Sequence, residues 1–302
     1  KIIYTVSTSE ICNKTSLYQK DIKNSVLFGG IQYEMSPEEM LKQAQKFKSG
    51  FSSYDSLNIN TDNSSTLHSI ISDSLTRGLS WSFLPGSLDE AVEIKDVILK
   101  KDIDVKIFKG TEGSEEQFKA LEKKAPSIIH ISTHGFYFGN DEESETVKSM
   151  ISENVKFAHS DNPLLRSGFI LAGGNRAFQG KEIPAGVEDG VLTALEISQL
   201  NLFNTKLAVL SACQTGLGDV KGHEGVYGLQ RSFKMAGVDY LLFSLWEVPD
   251  KTTKELMEDF YKNWFAGDEI RTAFKKAQNQ LKEKYAGVPG SAFAWAAFVL
   301  KK

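Results

Sequence analysis

Cysteine is nearly absent from this chain: 302 residues contain two, Cys12 and Cys213. That is too few for a disulfide framework and fits a reducing compartment, so a cytoplasmic protein is expected. Long hydrophobic runs are also missing. Nothing approaches the roughly 18 apolar residues of a membrane span, and the opening residues KIIYTVSTSE lack the apolar core of a signal peptide. No excess of one charge points to a polyanionic partner: the net charge is -4 and Lys and Arg are spread along the chain. Neither nucleic acid nor an anionic membrane is therefore expected as a partner. Histidines number five. His130 and His134 stand four apart on a strand pattern without a third and a fourth ligand, so neither a metal nor another cofactor is implied. Gly216, Gly218 and Gly222 are not followed by Gly-Lys-Ser/Thr, which excludes a phosphate loop. There is no internal repeat at solenoid periods.

What remains is an ordinary globular composition, 41% hydrophobic and 25% charged, enough for one large domain or two small ones. The chain opens inside what reads as a strand, Ile2 to Val6, so a piece of a longer protein is expected. Ser25 to Tyr33 is a second strand, with Gly29-Gly30 where the backbone can bend. Ser36-Pro37-Glu38-Glu39 starts a helix with Ser36 as N-cap and acids in the first turn. The polar tract 49–65 reads as a surface loop. After the turn Leu84-Pro85-Gly86, residues 87–100 repeat apolar positions at helical spacing behind Ser87 as N-cap. Strand, helix and strand alternate from there on, which predicts an α/β layered sheet. Residues 1–83 are expected to form an N-terminal portion and 84–302 the main domain.

Two segments share one design. Ser127 to Gly135, SIIHISTHG, and Thr205 to Gly216, TKLAVLSACQTG, each run apolar and then exit through small residues. Both suit strands buried on two faces of a parallel sheet, whose carboxyl ends carry chemistry in open α/β folds. If the strands are parallel neighbours, His134 and Cys213 emerge side by side. Cys213 would attack a carbonyl, His134 would move the proton, and the N–H groups of Gly135 and Cys213 would hold the oxyanion. From one Cys and one His alone, a packed core cysteine is the stronger reading.

Longer motifs reverse that preference. HISTHGFYF (130–138), LSACQTGLG (210–218), GHEGVYGLQRSFKMAGV (222–238), SLWEVPD (244–250) and WAAFVL (295–300), in this order, resemble a CHAT domain, a caspase-like, separase-related cysteine peptidase domain. DNPLLRSGFILAG (161–173) and EDGVLTALEI (188–197) extend the resemblance over most of residues 84–302. It implies an α/β caspase-like α/β/α sandwich with a mostly parallel central sheet, His134 and Cys213 as catalytic residues, and an upstream tetratricopeptide-repeat (TPR) or other sensor domain that this chain does not contain. In the place of the caspase Gln-Ala-Cys-Arg-Gly motif stands Ser211-Ala212-Cys213-Gln214-Thr215, and the step from His134 to Cys213 is longer than the roughly 50 residues of caspases. A basic pocket selecting aspartate is not supported. Ser211, Ser244, Trp246 and Glu247 fall at the expected substrate pocket, with Asp189 and Asp250 as acidic candidates. An acid at its floor would favour Lys or Arg before the scissile bond, whereas Trp246 would make it apolar.

The expectation is a cysteine endopeptidase acting on a protein or peptide substrate. The alternative is a regulatory protein-interaction module with latent or no peptidase activity. Self-cleavage in the loop 141–160, after Lys148, is a further expectation. His130 is expected to pack behind the site, and Phe136, Tyr137 and Phe138 in the core or the pocket wall. A papain-like hydrolase is disfavoured because there the cysteine precedes the histidine.

Overall fold

A computed structural model describes residues 16–48, 80–138, 155, 157–211, 224–246 and 248–302. Several expectations lie outside the described residues: the strand 2–6, Cys12, the loop 49–65, Lys148, the glycines of 216–222, Glu247 and Cys213 itself.

Six strands form the central sheet: β1 (Asn24–Ile31), β2 (Asp104–Gly110), β3 (Ile128–Ile131), β7 (Leu207–Leu210), β8 (Tyr240–Ser244) and β9 (Phe298–Lys301). Their order is β2-β1-β3-β7-β8-β9, parallel throughout except for β9, which runs antiparallel to β8. The inner strands read as continuous apolar runs because helices cover both faces. On one face, α2 (Pro85–Leu99), α7 (Asp250–Phe265) and α8 (Ile270–Lys284) bury Ile94, Phe260, Trp264 and Phe274 against Leu27, Val209 and Leu242. On the other, α6 (Glu224–Met235) and a small antiparallel sheet of β4 (Gly135–Tyr137), β5 (Ser167–Ile170) and β6 (Val191–Thr193) bury Phe136, Phe169 and Phe233 against Phe28, Ile129 and Leu241. This is the expected α/β layering with a mostly parallel sheet. Short helices complete the described chain: α1 (Pro37–Lys48), α3 (Glu115–Lys119), α4 (Asn175–Phe178), α5 (Ala194–Gln199) and α9 (Ala292–Trp295).

Three local outcomes differ from the sequence pattern. Helix α2 starts at Pro85 rather than behind Ser87, because a fixed proline φ suits the first helical position. The Ser87 hydroxyl instead donates to the Leu84 carbonyl (2.8 Å) and accepts the Gly30 N–H (2.9 Å). Gly29 and Gly30 are where α2 lands on β1. A Cβ on Gly29 would stand 2.4 Å from the Ser87 carbonyl oxygen, and Gly30 has φ +64°, so the pair gives both the close approach and a register shift in the β1–β2 ladder. The third outcome concerns the histidine segment. The strand pattern of 127–135 divides at Ile131, and the chain then changes sheets to enter β4.

Candidate functional site

The segment Ser132-Thr133-His134, between β3 and β4, is pinned residue by residue. The Ser132 N–H donates to the Phe28 carbonyl (2.8 Å), the Thr133 hydroxyl to the Ile170 carbonyl (2.6 Å), and the His134 carbonyl accepts the Ile170 N–H (2.9 Å). Since Thr133 spends its proton on Ile170, the Tyr33 hydroxyl donates to Thr133 Oγ1 (2.9 Å). Burial pushes the Tyr33 phenol up to about 12, so it remains a neutral donor.

The His134 ring is 2% exposed and lies between two aromatic rings, Tyr33 and Trp81, each with its centroid 4.9 Å away. Its Nε2 is 2.7 Å from the carbonyl of Ser82, an atom that only accepts, so Nε2 carries the proton. In the neutral ring that leaves Nδ1 with the lone pair, the nitrogen able to take a proton from a nucleophile. Asn175 holds the segment that supplies this carbonyl: its Oδ1 accepts the Trp81 N–H (2.8 Å) and its Nδ2 donates to the Trp81 carbonyl (3.1 Å).

Strands β3 and β7 are parallel neighbours, with Ile131 opposite Leu210, and the Ser211 N–H continues the ladder onto the Ile131 carbonyl (2.8 Å). His134 follows Ile131 by the same count of residues as Cys213 follows Leu210. The described chain thus leaves β7 beside the histidine segment.

Next to His134 opens a cleft with about 510 Å³ of open space, between the first turns of α2 and α7 and the carboxyl ends of β3 and β7. Ser211 and Asp250 line it. Ser244 pairs with Phe298 in the sheet, and the Trp246 indole donates to the Phe293 carbonyl (2.8 Å), so neither is among the lining residues. Glu90, which the sequence reading did not single out, is. Its carboxylate, 4% exposed, accepts from His130 Nε2 (2.8 Å) and from the Ser132 hydroxyl (3.1 Å). His130 is fully buried behind the site, and its Nδ1 faces the Tyr261 hydroxyl (3.2 Å). Burial, together with the Glu90 charge, holds the Tyr261 phenol well above its ordinary range.

Asp189 belongs to a different cluster. The Lys119 ammonium stands 2.7, 2.8 and 2.9 Å from Glu115, Glu188 and Glu196. Those three carboxylates also have the spacing of a metal site, but the ammonium occupies its centre. Burial works against the charge on Lys119, and the three acids outweigh it and hold its pKa above the usual value. Asp189 accepts the Val191 N–H (2.8 Å), and burial raises its carboxyl to about 6.

A protein-family model described as "CHAT domain" matches residues 31–301. The chain belongs to the CHAT domain family. That family is caspase-like and peptidase-related. Tetratricopeptide repeat protein 28 of Homo sapiens is 32% identical over 114 residues, 38% of this CHAT chain and 4% of that protein. Its counterpart in Mus musculus is 32% identical over 110 residues, 36% of this chain and 4% of that protein. The CHAT chain therefore matches only a small fraction of either relative's length. No helix among the described residues is long and apolar enough to cross a membrane.

Proposed function

We propose that this CHAT chain is a cysteine endopeptidase in which Cys213 is the nucleophile and His134 the general base and acid. The observation that carries the proposal is the His134 environment: a buried imidazole between two aromatic rings, its Nε2–H committed to a backbone carbonyl, at the exit of a strand parallel to the one that leads to Cys213. The thiol proton passes to His134 Nδ1 as sulfur bonds to the scissile carbonyl carbon. The N–H groups of Gly135 and Cys213 take the oxyanion. As the C–N bond breaks, the leaving amine receives that proton, and water then hydrolyses the thioester, returning the thiol and releasing a carboxylate. The tetratricopeptide repeats named in the relatives support control by an upstream sensor segment.

The test is a substrate library treated with the wild-type chain and with Cys213→Ala. Cleavage by the first and none by the second is expected. Silence from both, with a bound protein partner retained by both, would favour a regulatory interaction module instead. Mass spectrometry during turnover tests self-cleavage after Lys148, which an intact chain would exclude.

A further inference from the structure

We propose that the cleft beside His134 is a pocket for a basic side chain, Lys or Arg, with Glu90 at its floor and Asp250 at its mouth. The substrate class rests on the peptidase reading above, since the basic residue would precede the scissile bond.

The first argument is charge. Two carboxylates line the cleft, and no Lys or Arg is among its described lining residues. Two helix N-termini, those of α2 and α7, also meet there, and each contributes about half a positive charge. Set against two full negative charges, they leave the described lining net negative by about one unit, so a cation is the complementary guest. Asp250 is the first residue of α7, where it offsets its own helix end. Glu90 is in the second turn of α2, beyond the reach of that effect.

The second argument is unused hydrogen-bonding capacity. A carboxylate offers about four acceptor positions. Among the described residues, Glu90 spends two, on His130 and Ser132. The Ser211 hydroxyl oxygen, on a residue that lines the same cleft, is buried and has no hydrogen-bond partner among the described residues. A buried polar atom left unpaired is costly, and a guanidinium or ammonium N–H would give it a partner.

The position of the carboxylates is built into the backbone. Gly29 lets α2 rest on β1, which sets the depth of Glu90. A Cβ on Gly86 would meet Asp250 Cβ at 3.0 Å, so the two helix ends are already in contact at the mouth.

The experiment uses peptides identical except for Arg, Lys, Leu or Asp before the scissile bond. Cleavage by the wild-type chain and binding to Cys213→Ala, followed by fluorescence anisotropy, are measured in parallel. Arg and Lys peptides are expected to exceed Leu and Asp peptides by about tenfold or more in both assays. The Arg-over-Leu ratio should fall on the order of 100-fold in Glu90→Gln and about tenfold in Asp250→Asn. Because Glu90 is buried in a network, a melting curve checks that its variant folds; Asp250 is exposed and gives an independent reading. A preference for Leu or Asp, or a ratio unmoved in Asp250→Asn, overturns the proposal. Selective binding of Arg peptides by Cys213→Ala without any cleavage by the wild type keeps the pocket and overturns the peptidase reading; cleavage after non-basic residues does the reverse.

Discussion

Asn175 holds Trp81 by both of its backbone polar atoms, and Trp81 packs on the His134 ring. Asn175 is therefore a positioning residue. Asn175→Ala would leave a buried N–H and C=O without partners and lower stability by about 1–3 kcal/mol. Because the Ser82 carbonyl would lose its support, kcat should fall more than KM rises, whereas a purely structural role would change neither in the fraction that folds. Asn175→Asp, which keeps the acceptor, should restore part of the loss. Asp189 carries a pH prediction. Its carboxyl is raised from 3.8 to about 6 by burial, so its contribution to stability is complete below pH 3.8 and is lost as pH rises through about 6. Asp189→Asn can still accept the Val191 N–H. The variant should be the more stable protein near pH 8, by on the order of 1 kcal/mol, with the gap closing toward pH 4 in urea titrations. The positions of His134 and Ser211 beyond the carboxyl ends of β3 and β7 were readable because each follows an apolar strand in a small-residue exit. Tyr33, Trp81, Ser82, Asn175 and Glu90 were not, since each acts through a partner far along the chain: Trp81 and Asn175 are separated by 94 positions.

Elements decide how deep the cleft is. Helix α2 reaches β1 only because residue 29 has no side chain, and Gly29→Ala would force the helix outward. A cost of about 1–3 kcal/mol is expected from such overpacking. The same shift moves the turn that presents the Ser82 carbonyl, so kcat/KM should drop together with the urea midpoint. Periodicity marked α2, although its cap was misplaced at Ser87. Ser36 caps its helix as expected, its hydroxyl accepting the Glu39 N–H (3.2 Å) while its own N–H donates to the Glu39 carboxylate (2.8 Å). Strands as short as β4 and β6 carry too few residues for alternation to separate them from turns. The break between β3 and β4 was hidden for another reason: Ser132 and Thr133 hydrogen-bond through their side chains, which a hydrophobic pattern does not register.

At the scale of the whole molecule, strand β1 is interior. It pairs with β2 on one side and β3 on the other, and Leu27, Phe28 and Ile31 are completely buried. The sheet thus runs across position 83, where the sequence pattern suggested a boundary. A chain beginning at residue 84 should lose cooperative unfolding and near-ultraviolet circular dichroism, because β2 and β3 would each be left with an unpaired edge. Parallel pairing also sets an order of assembly. Neighbouring strands are joined only after long crossovers, so contacts close late and folding is slow for the protein's size. The His134 surroundings draw on Tyr33, Trp81 and Asn175, and the cleft on Glu90, Ser211 and Asp250. During synthesis from the amino end, a chain that has not yet emerged as far as α7 lacks Val248, Pro249, Asp250 and Thr253 from its cleft. On the peptidase proposal, hydrolytic competence would therefore wait until α7 has been made, which would spare the growing chain from premature cleavage.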